Sequence, residues 1–193
     1  TTDPSAMIQD SAVDVVVEVI GGLEPARSLS LQAIAAGKSV VTANKAVIAR
    51  HGQEIAEAAA AAGVYVLIEA AVGGGIPIIE PLKQSLGGNR INRVSGIING
   101  TTNYILTRMA DEGAAYDAVL KDAQDLGYAE ADPAADVDGL DAADKIAILA
   151  SLAFGGTVDR AVIPTNGISG LEGVDVDYAN RLGYGVKLLA VAE

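Results

Sequence analysis

The sequence contains no cysteine and no tryptophan, and among its 193 residues it has only one histidine and one phenylalanine. Without cysteine the chain can form no disulfide, zinc–thiolate site, iron–sulfur cluster or cysteine nucleophile. The single histidine, His51, excludes a metal site with two histidine ligands and leaves little scope for a Ser-His-Asp triad. We interpret His51 as a surface residue of a helix. The lack of cysteine excludes enzymes that depend on a thiol or an iron–sulfur cluster, and the single histidine argues against two-histidine metal enzymes and triad hydrolases.

Basic residues and long apolar runs are also scarce. The chain has 13 lysines and arginines against 25 aspartates and glutamates, which gives a formal net charge of −12. This charge opposes nonspecific binding to nucleic acid or to an anionic membrane. The longest apolar run, residues 58–68, ends at Glu69, well short of the ~18 residues of a transmembrane helix. With 50% hydrophobic and 20% charged residues, we expect a globular chain with no nucleic-acid or membrane partner.

The N-terminal segment is polar and lacks the basic stretch that opens a secretory signal peptide, and the chain does not begin with methionine. We therefore expect a processed chain or a piece of a longer protein. The length fits one large domain or two small ones, and either could bury an adequate core.

The first third of the chain alternates short β-branched runs with segments of helical character. Strands are predicted over residues 13–20, 39–43 and 64–68. The first intervening helix is predicted from Pro25 to the glycine at 37, and the second from a cap at Asn44 to Gly63. Strand and helix alternating at this spacing predict right-handed crossovers and a parallel sheet.

The pattern changes at Gly73, where a segment rich in glycine and proline predicts a boundary between domains 1–72 and 73–193. Beyond it we predict strands over residues 91–98 and 186–191 and helices over residues 116–126 and 140–154. A further helix is expected to be capped by Thr101 or Thr102 and to end at Gly113. The predicted fold class is α/β, a partial parallel sheet followed by an α+β domain.

The first candidate site is Thr42-Ala43-Asn44-Lys45, at the carboxyl end of a predicted parallel strand. Ligands of open α/β sheets bind beyond such strand ends, which favours a functional Lys45 that points into the crevice. The alternative is a surface lysine in the first turn of a helix, where the helix dipole disfavours a cation. Both interpretations stay open on the residues alone.

The second candidate site runs from Glu69 through Val72 and three glycines to Ile76. Consecutive glycines allow the backbone to turn sharply and to aim carbonyl oxygens at a cation. A flexible hinge between domains explains the same residues, and composition alone favours the hinge.

The third candidate site is Asn99-Gly100-Thr101-Thr102-Asn103, which places glycine and hydroxyl groups at a predicted helix N-terminus. Free N–H groups and the positive end of the helix dipole can form an anion pocket there. The alternative is an ordinary helix cap that uses one hydroxyl structurally, and the two interpretations are compatible.

The fourth candidate site is the acidic segment from Tyr128 to Lys145, and it is the most informative of the four. Asp141 and Lys145 are spaced i, i+4, so they share one helix face and can pair. A solvated acidic loop with a surface ion pair is the alternative, and it is weakened because Lys145 leads directly into an apolar helix. A lysine ringed by carboxylates at the edge of such a helix is a candidate acid/base.

Taken in order, four segments of the chain resemble the homoserine dehydrogenase family. They are VTANK, EAAVGGGIP, GIINGTTNYIL and DLGYAEADPAADVDGLDAADK, spread over nearly the whole chain. GYAEADP followed by D-x-x-x-K is the most specific of these patterns. The resemblance implies a partial Rossmann-like parallel sheet followed by an α+β domain for substrate binding and dimerisation.

The resemblance also implies an activity, which is the NAD- or NADP-dependent interconversion of L-aspartate 4-semialdehyde and L-homoserine. That reaction lies on the route to threonine, methionine and isoleucine. The implied partners are this small-molecule substrate and further copies of the chain, in a homodimer or higher homo-oligomer, and the implied location is cytoplasmic.

Roles follow at the positions that match the family's motifs. Lys145 matches the catalytic lysine, a proton donor to the nascent alkoxide, and Asp141 matches its acidic neighbour. Lys45 matches a second active-site lysine near cofactor and substrate, and Glu130 matches the carboxylate that holds the substrate's ammonium group. The other implied substrate-binding positions are Tyr128, Asp136, Gly100 and Thr101.

The implied NAD(P)-binding positions are Gly21, Thr42, Ala43 and Lys45. A monovalent cation, usually sodium, is implied at Glu69, Val72, Gly74 and Ile76, largely through backbone carbonyls.

One departure from the family's pattern concerns the cofactor. The family has an N-terminal strand and a G-x-G-x-x-G turn, whereas Gly21-Gly22 follows a later strand and has a different spacing. We therefore expect the substrate part and only part of the cofactor domain in this chain. Two alternatives are kept: a related NAD(P) oxidoreductase acting on another amino-acid-like substrate, and a non-catalytic binding domain.

Overall fold

The computed structural model describes residues 1–193, which divide into two compact units. Unit 1 comprises Thr1–Asn92 and Ala147–Ala161, and unit 2 comprises Arg93–Ile146 and Val162–Glu193. Both units are therefore discontinuous in sequence, and one helix contributes residues to each. The domain boundary that the composition predicts between residues 72 and 73 is a separate matter from these two units, and it stays a prediction.

Unit 1 contains a parallel three-stranded sheet, which confirms the predicted sheet type. Its strands are β1 (Val15–Glu18), β2 (Ser39–Thr42) and β3 (Val66–Leu67), in the order β1-β2-β3. The register pairs Val16 with Val40 and Val40 with Val66, so Val40 lies at the centre and is fully buried. All three strands are shorter than predicted. β1 ends before a turn at Gly21-Gly22, where both glycines have positive φ.

The helices of unit 1 follow the predicted capping signals. They are α1 (Pro4–Gln9), α2 (Ala26–Ala35) and α3 (Lys45–Ala62), with a 3₁₀ turn at Glu69–Ala71 and a π-helical turn at Pro81–Ser85. The Asn44 side chain caps α3 by accepting from Val47 N, and Gly63 ends it in the left-handed conformation. Helix α1 was not predicted, although Asp3 supplies an N-cap and Pro4 stands at the first helical position.

Unit 2 packs helices around one apolar cluster beside a two-stranded antiparallel sheet. Its elements are β4 (Val94–Gly96), α4 (Gly100–Glu112), α5 (Tyr116–Asp125), α6 (Ala134–Val137), the start of α7 (Leu140–Phe154), α8 (Gly173–Arg181) and β5 (Ala190–Ala192). A 3₁₀ turn, Arg160–Val162, crosses the division between the units.

Two predictions in this unit were wrong in detail. Helix α4 is capped by Asn99, whose side chain accepts from Thr102 N, and neither Thr101 nor Thr102 is the cap. The strand predicted over residues 186–191 lies at Ala190–Ala192, because β4 is three residues long and pairs only with those three. No helix in the structure combines the length and apolar character needed to cross a membrane.

Ile105 tests the core of unit 2. It is fully buried in the apolar cluster with Leu106, Met109 and Val119. Ile105→Ala should lower the free energy of unfolding by about 2–5 kcal/mol, because it removes buried methyl groups and leaves a cavity. Urea unfolding followed by circular dichroism measures this. Leu182→Ala is the control, since that side chain is 74% exposed, and an equal loss in both variants would contradict the assigned core.

Candidate active site

Lys145 and Asp141 form a close ion pair on helix α7. Lys145 Nζ lies 2.6 Å from Asp141 Oδ2, and the two side chains are 18% and 6% exposed. Lys145 Nζ also donates to the carbonyl oxygen of Ile98 at 2.8 Å. An ammonium group has three donors, so two are engaged within the chain and one is left for a ligand. The predicted pairing is thus confirmed in its geometry, and the pair is too buried for a simple surface ion pair.

Asn99 joins this pair to a second carboxylate. Its Nδ2 donates to Asp136 Oδ1 at 2.6 Å and to Asp141 Oδ2 at 2.9 Å, and the residue is 5% exposed. Its Oδ1 accepts from Thr102 N at 2.9 Å and from Thr102 Oγ1 at 2.8 Å. Sequence reasoning placed Asn99 in a capping segment but gave it no role in the site. Its position, one residue before the glycine that opens helix α4, was the available signal.

These residues line a cavity of about 640 Å³ within unit 2. Six of the predicted site residues line it: Gly100, Thr101, Tyr128, Asp136, Asp141 and Lys145. Three lining residues had no predicted role: Asn99, Tyr104 and Gly127. Glu130, the predicted ammonium ligand, is exposed on the neighbouring loop and is not part of the lining.

The wall of the cavity is held by contacts between α4 and the loop after α5. Thr101 Oγ1 donates to the carbonyl oxygen of Tyr128 at 2.8 Å, so this hydroxyl has a structural partner. The Tyr104 and Tyr128 rings meet edge to face with centroids 5.1 Å apart. Arg108 lies over the Tyr104 ring and donates to its hydroxyl at 2.9 Å. The loop that carries Tyr128 is therefore fixed to the first turns of α4.

Two backbone donors at the start of α4 face the same cavity. The N–H groups of Gly100 and Thr101 donate no hydrogen bond within the chain, and both residues line the cavity. The N-terminus of a helix carries a partial positive charge, so unengaged N–H groups there suit an anion. The cap interpretation holds, because Asn99 supplies the cap and the Thr101 hydroxyl has a structural partner. The anion pocket stays a prediction.

The four predicted cofactor positions lie in unit 1, at the carboxyl ends of β1 and β2. Glu18, at the end of β1, is 3% exposed and accepts from Thr42 Oγ1 at 2.6 Å and from Ile20 N at 2.7 Å. Thr42 Oγ1 in turn accepts from Asn44 N at 2.9 Å, and Asn44 Nδ2 donates to the carbonyl oxygen of Gly22 at 2.8 Å. The Thr42 hydroxyl is therefore engaged within the chain.

The loops that carry the other cofactor positions are joined by the same network. Gly21 lies in the turn after β1, Ala43 follows β2, and Lys45 is the first residue of α3. Sequence reasoning missed Glu18, although it is the one charged residue in the run of valines that forms β1. A lone acid at the alternate positions of a strand that face the interior is the signal that could have identified it.

The predicted cation positions lie in one loop of unit 1, which the Glu69 carboxylate holds. Glu69 Oε1 accepts from Ile78 N at 2.7 Å and Ile79 N at 3.1 Å, and Oε2 accepts from Glu80 N at 2.8 Å. These hydrogen bonds from backbone N–H groups lower the pKa of Glu69 because they favour the ionised form, and the bond from Glu80 has the largest effect. The stabilisation they give is present at neutral pH and is lost as the pH falls through that lowered pKa.

Three carbonyl groups of the same loop have no hydrogen-bond partner. The oxygens of Val72, Gly74 and Ile76 accept no hydrogen bond within the chain. No group of three or more acidic, histidine or cysteine side chains in the structure is arranged to hold a metal ion. Coordination in this loop would therefore depend on backbone oxygens, and the cation site implied by the family resemblance stays a prediction.

Comparisons with known proteins concern both halves of the chain. The sequence model described as "Homoserine dehydrogenase" matches residues 77–192, and that described as "Homoserine dehydrogenase, NAD binding domain" matches residues 1–69. The homoserine dehydrogenase of Synechocystis sp. is 68% identical over 193 residues, which is 100% of this chain and 45% of that protein. That of Corynebacterium glutamicum is 52% identical, over 100% of this chain and 43% of that protein.

Solved structures of homoserine dehydrogenases are also similar to this chain. A crystal structure of a homoserine dehydrogenase from Thiobacillus denitrificans has a TM-score of 0.97 at 56% identity, covering 100% of this chain and 45% of that one. A hyperthermophilic archaeal homoserine dehydrogenase in complex with NADPH has a TM-score of 0.85 at 29% identity, covering 100% and 56%. The chain thus spans less than half the length of the curated relatives above.

Thr42 tests the network at the strand ends. Thr42→Val keeps the shape of the side chain but removes the hydroxyl donor to the buried Glu18 carboxylate. The free energy of unfolding should fall by about 1–3 kcal/mol, because a buried charged group loses a partner. Chemical denaturation measures the loss. Thr42→Ser, which keeps the hydroxyl, should be close to wild type, and equal stability of all three proteins would contradict the network.

Proposed function

Because this chain belongs to the homoserine dehydrogenase family, we propose that the protein interconverts L-homoserine and L-aspartate 4-semialdehyde with NAD or NADP. The observation that carries the proposal is the buried Lys145–Asp141 pair, which lines a cavity with four further predicted substrate positions. A cytoplasmic place in threonine, methionine and isoleucine biosynthesis belongs to the same proposal.

The nicotinamide cofactor, when bound, supplies or accepts the hydride. In the reducing direction the aldehyde oxygen gains negative charge, and the Lys145 ammonium stabilises that charge and donates a proton to it. Asp141 holds the Lys145 Nζ in place and balances its charge within the protein. In the oxidising direction neutral Lys145 accepts the hydroxyl proton of homoserine, so the same atom serves both directions.

The substrate is an amino acid, and the cavity offers groups for both of its charges. We propose that the unengaged N–H groups of Gly100 and Thr101 receive the substrate carboxylate. The ammonium group is assigned to Asp136 and, as the family resemblance implies, to Glu130. Tyr128 borders the same cavity and completes this set of substrate positions.

The cofactor is assigned to the carboxyl ends of β1 and β2, with residues 1–72 as part of its domain and residues 73–193 as the catalytic domain. The residues present fit part of a nicotinamide dinucleotide site, since parallel strand ends and the N-terminus of α3 are the usual setting for one. Gly21, Ala43 and Lys45 lie at these strand ends. Thr42 contributes through its backbone, because its hydroxyl is engaged with Glu18.

We further propose a monovalent cation, sodium by the family resemblance, at the loop formed by Glu69, Val72, Gly74 and Ile76. Hard cations prefer oxygen ligands, and three of these residues have carbonyl oxygens with no partner in the chain. The ionised Glu69 carboxylate fixes the loop and adds negative charge to it.

Assembly into a homodimer or larger homo-oligomer also belongs to the proposal. Exposed apolar side chains support it near the short antiparallel sheet of unit 2, where Ile97, Leu189 and Val191 are 45%, 61% and 42% exposed. Apolar side chains clustered at the surface mark interaction sites.

Lys145 is the first residue to test, in the intact protein with homoserine and either nucleotide. Lys145→Ala should lower kcat by about 10²–10⁴-fold with little change in KM, because a positioned acid/base is lost. Lys145→Arg should also have a lowered kcat, since a guanidinium hardly releases a proton. Steady-state kinetics over a panel of 2-amino-4-hydroxy acids and other amino alcohols measures activity and substrate class together.

The chain offers a matched control. Lys121 and Asp125 form an i, i+4 pair on α5, but they are 71% and 64% exposed and lie outside the cavity. Lys121→Ala should leave kcat within about twofold of wild type. An active Lys145→Ala protein would refute the role of Lys145, and a wild-type protein inactive on homoserine with both nucleotides would refute the proposed function.

Glu69 tests the cation site. Glu69→Gln removes the negative charge that holds the loop and should weaken sodium binding at least tenfold, because the carbonyl oxygens lose their fixed positions. Titration of the sodium-free protein, followed by ²³Na NMR line width, measures this. Glu57→Gln removes one charge from the exposed face of α3 as a control. Equal sodium affinity in both variants and wild type would count against the site.

A further inference from the structure

Asn99 occupies an unusual position in the cavity of unit 2, because every hydrogen-bonding site on its side chain is used. The amide nitrogen has two donors, and they go to Asp136 Oδ1 and Asp141 Oδ2. The amide oxygen has two acceptor positions, and Thr102 fills both with its N–H and its hydroxyl. The side chain therefore has no capacity left for a substrate, although it lies in the cavity wall.

The orientation of this amide follows from its neighbours. Two carboxylates lie on one side of the side chain and two donors on the other, so the nitrogen must face Asp136 and Asp141. Carboxylates cannot donate when ionised, and two of them close together repel each other. Asn99 separates the two carboxylates with a neutral group that donates a hydrogen bond to each.

The bond to Asp141 is made at the atom that also holds the lysine. Asp141 Oδ2 accepts from Asn99 Nδ2 at 2.9 Å and from Lys145 Nζ at 2.6 Å. Fixing this oxygen from one side determines where Lys145 Nζ lies on the other side. Asn99 itself is fixed, because its oxygen caps helix α4 and its backbone is extended at the cap.

We propose that Asn99 is a positioning residue that acts through Asp141 to place the Lys145 ammonium group, and through Asp136 to keep the second carboxylate in the cavity. The inference rests on the proposed function and adds to it a residue that touches neither substrate nor cofactor. Asparagine suits this position because a carboxylate would cap the helix equally well but could not donate to either aspartate.

That difference defines the decisive variant, which is Asn99→Asp in the intact protein. It keeps the size of the side chain and the acceptor for Thr102 N, but it replaces two donors with an oxygen facing two carboxylates. We expect kcat for homoserine oxidation to fall by on the order of 10–10²-fold, because the lysine loses its fixed position. The dissociation constant of the nucleotide should stay within about twofold, since Asn99 is none of the residues assigned to the nucleotide.

Asn103→Asp is the matched control on the same helix. It adds the same charge near the start of α4, but Asn103 Oδ1 accepts from Lys187 Nζ at 2.9 Å, and the change keeps that acceptor. Its kcat should stay within about twofold of wild type. If Asn99 were only a helix cap, Asn99→Asp would behave like this control, and such a result would overturn the proposal.

A second measurement needs no activity. The two Asn99 side-chain amide protons are both donated to carboxylates, and Asn99 and Asp141 are buried, so these protons should exchange with solvent roughly tenfold more slowly than those of Asn103. NMR of the wild-type protein measures this, with the Asn99 signal identified by its loss in Asn99→Asp. Equal exchange rates would overturn the proposal. A wild-type protein inactive on homoserine would instead refute the proposed function, and slow Asn99 exchange would still support the assigned bridge.

Discussion

The hydrogen bonds to the buried Asp141 carboxylate are the interaction on which the site in unit 2 depends. A carboxylate removed from water is costly unless it is paired and hydrogen-bonded, and here an ammonium group and an amide share one of its oxygens. Helix α7 supplies the charge pair, and the cap of α4 supplies the amide. The chemistry and the fold of this unit therefore use the same atoms, and a change in one disturbs the other.

Unit 1 holds two carboxylates in a comparable way, the buried Glu18 and the partly buried Glu69. Glu18 ends a strand and binds the hydroxyl of Thr42, which joins two strand ends, while Glu69 gathers three backbone N–H groups of one loop. Each carboxylate is a structural tie at the border of a predicted ligand site. This explains how a chain with a formal net charge of −12 places acids inside its structure as well as over its surface.

The sequence predicted the parallel sheet, most helices and the Lys145–Asp141 pair, because these depend on local periodicity and on spacing within one helix. It did not predict that Asn99, far from that pair in sequence, donates to both aspartates, since the contact exists only once α4 and α7 have packed. Glu18 was missed for the same reason, and α4 was given the wrong cap because Thr101 and Thr102 carry equally plausible capping side chains. Long-range hydrogen bonds are set by tertiary packing and leave little trace in a local pattern.

The fixed ammonium group of Lys145 also has a stereochemical consequence. Two of its three N–H bonds are held by Asp141 and by the carbonyl oxygen of Ile98, so the group cannot rotate and its last N–H points along one line. Under the proposed function, an aldehyde oxygen on that line and a carboxylate at the start of α4 fix the substrate at both ends. A substrate held in this way has one orientation in the cavity, so the two faces of its carbonyl group have different surroundings. The two hydrogens on the carbinol carbon of the alcohol are then distinct to the protein.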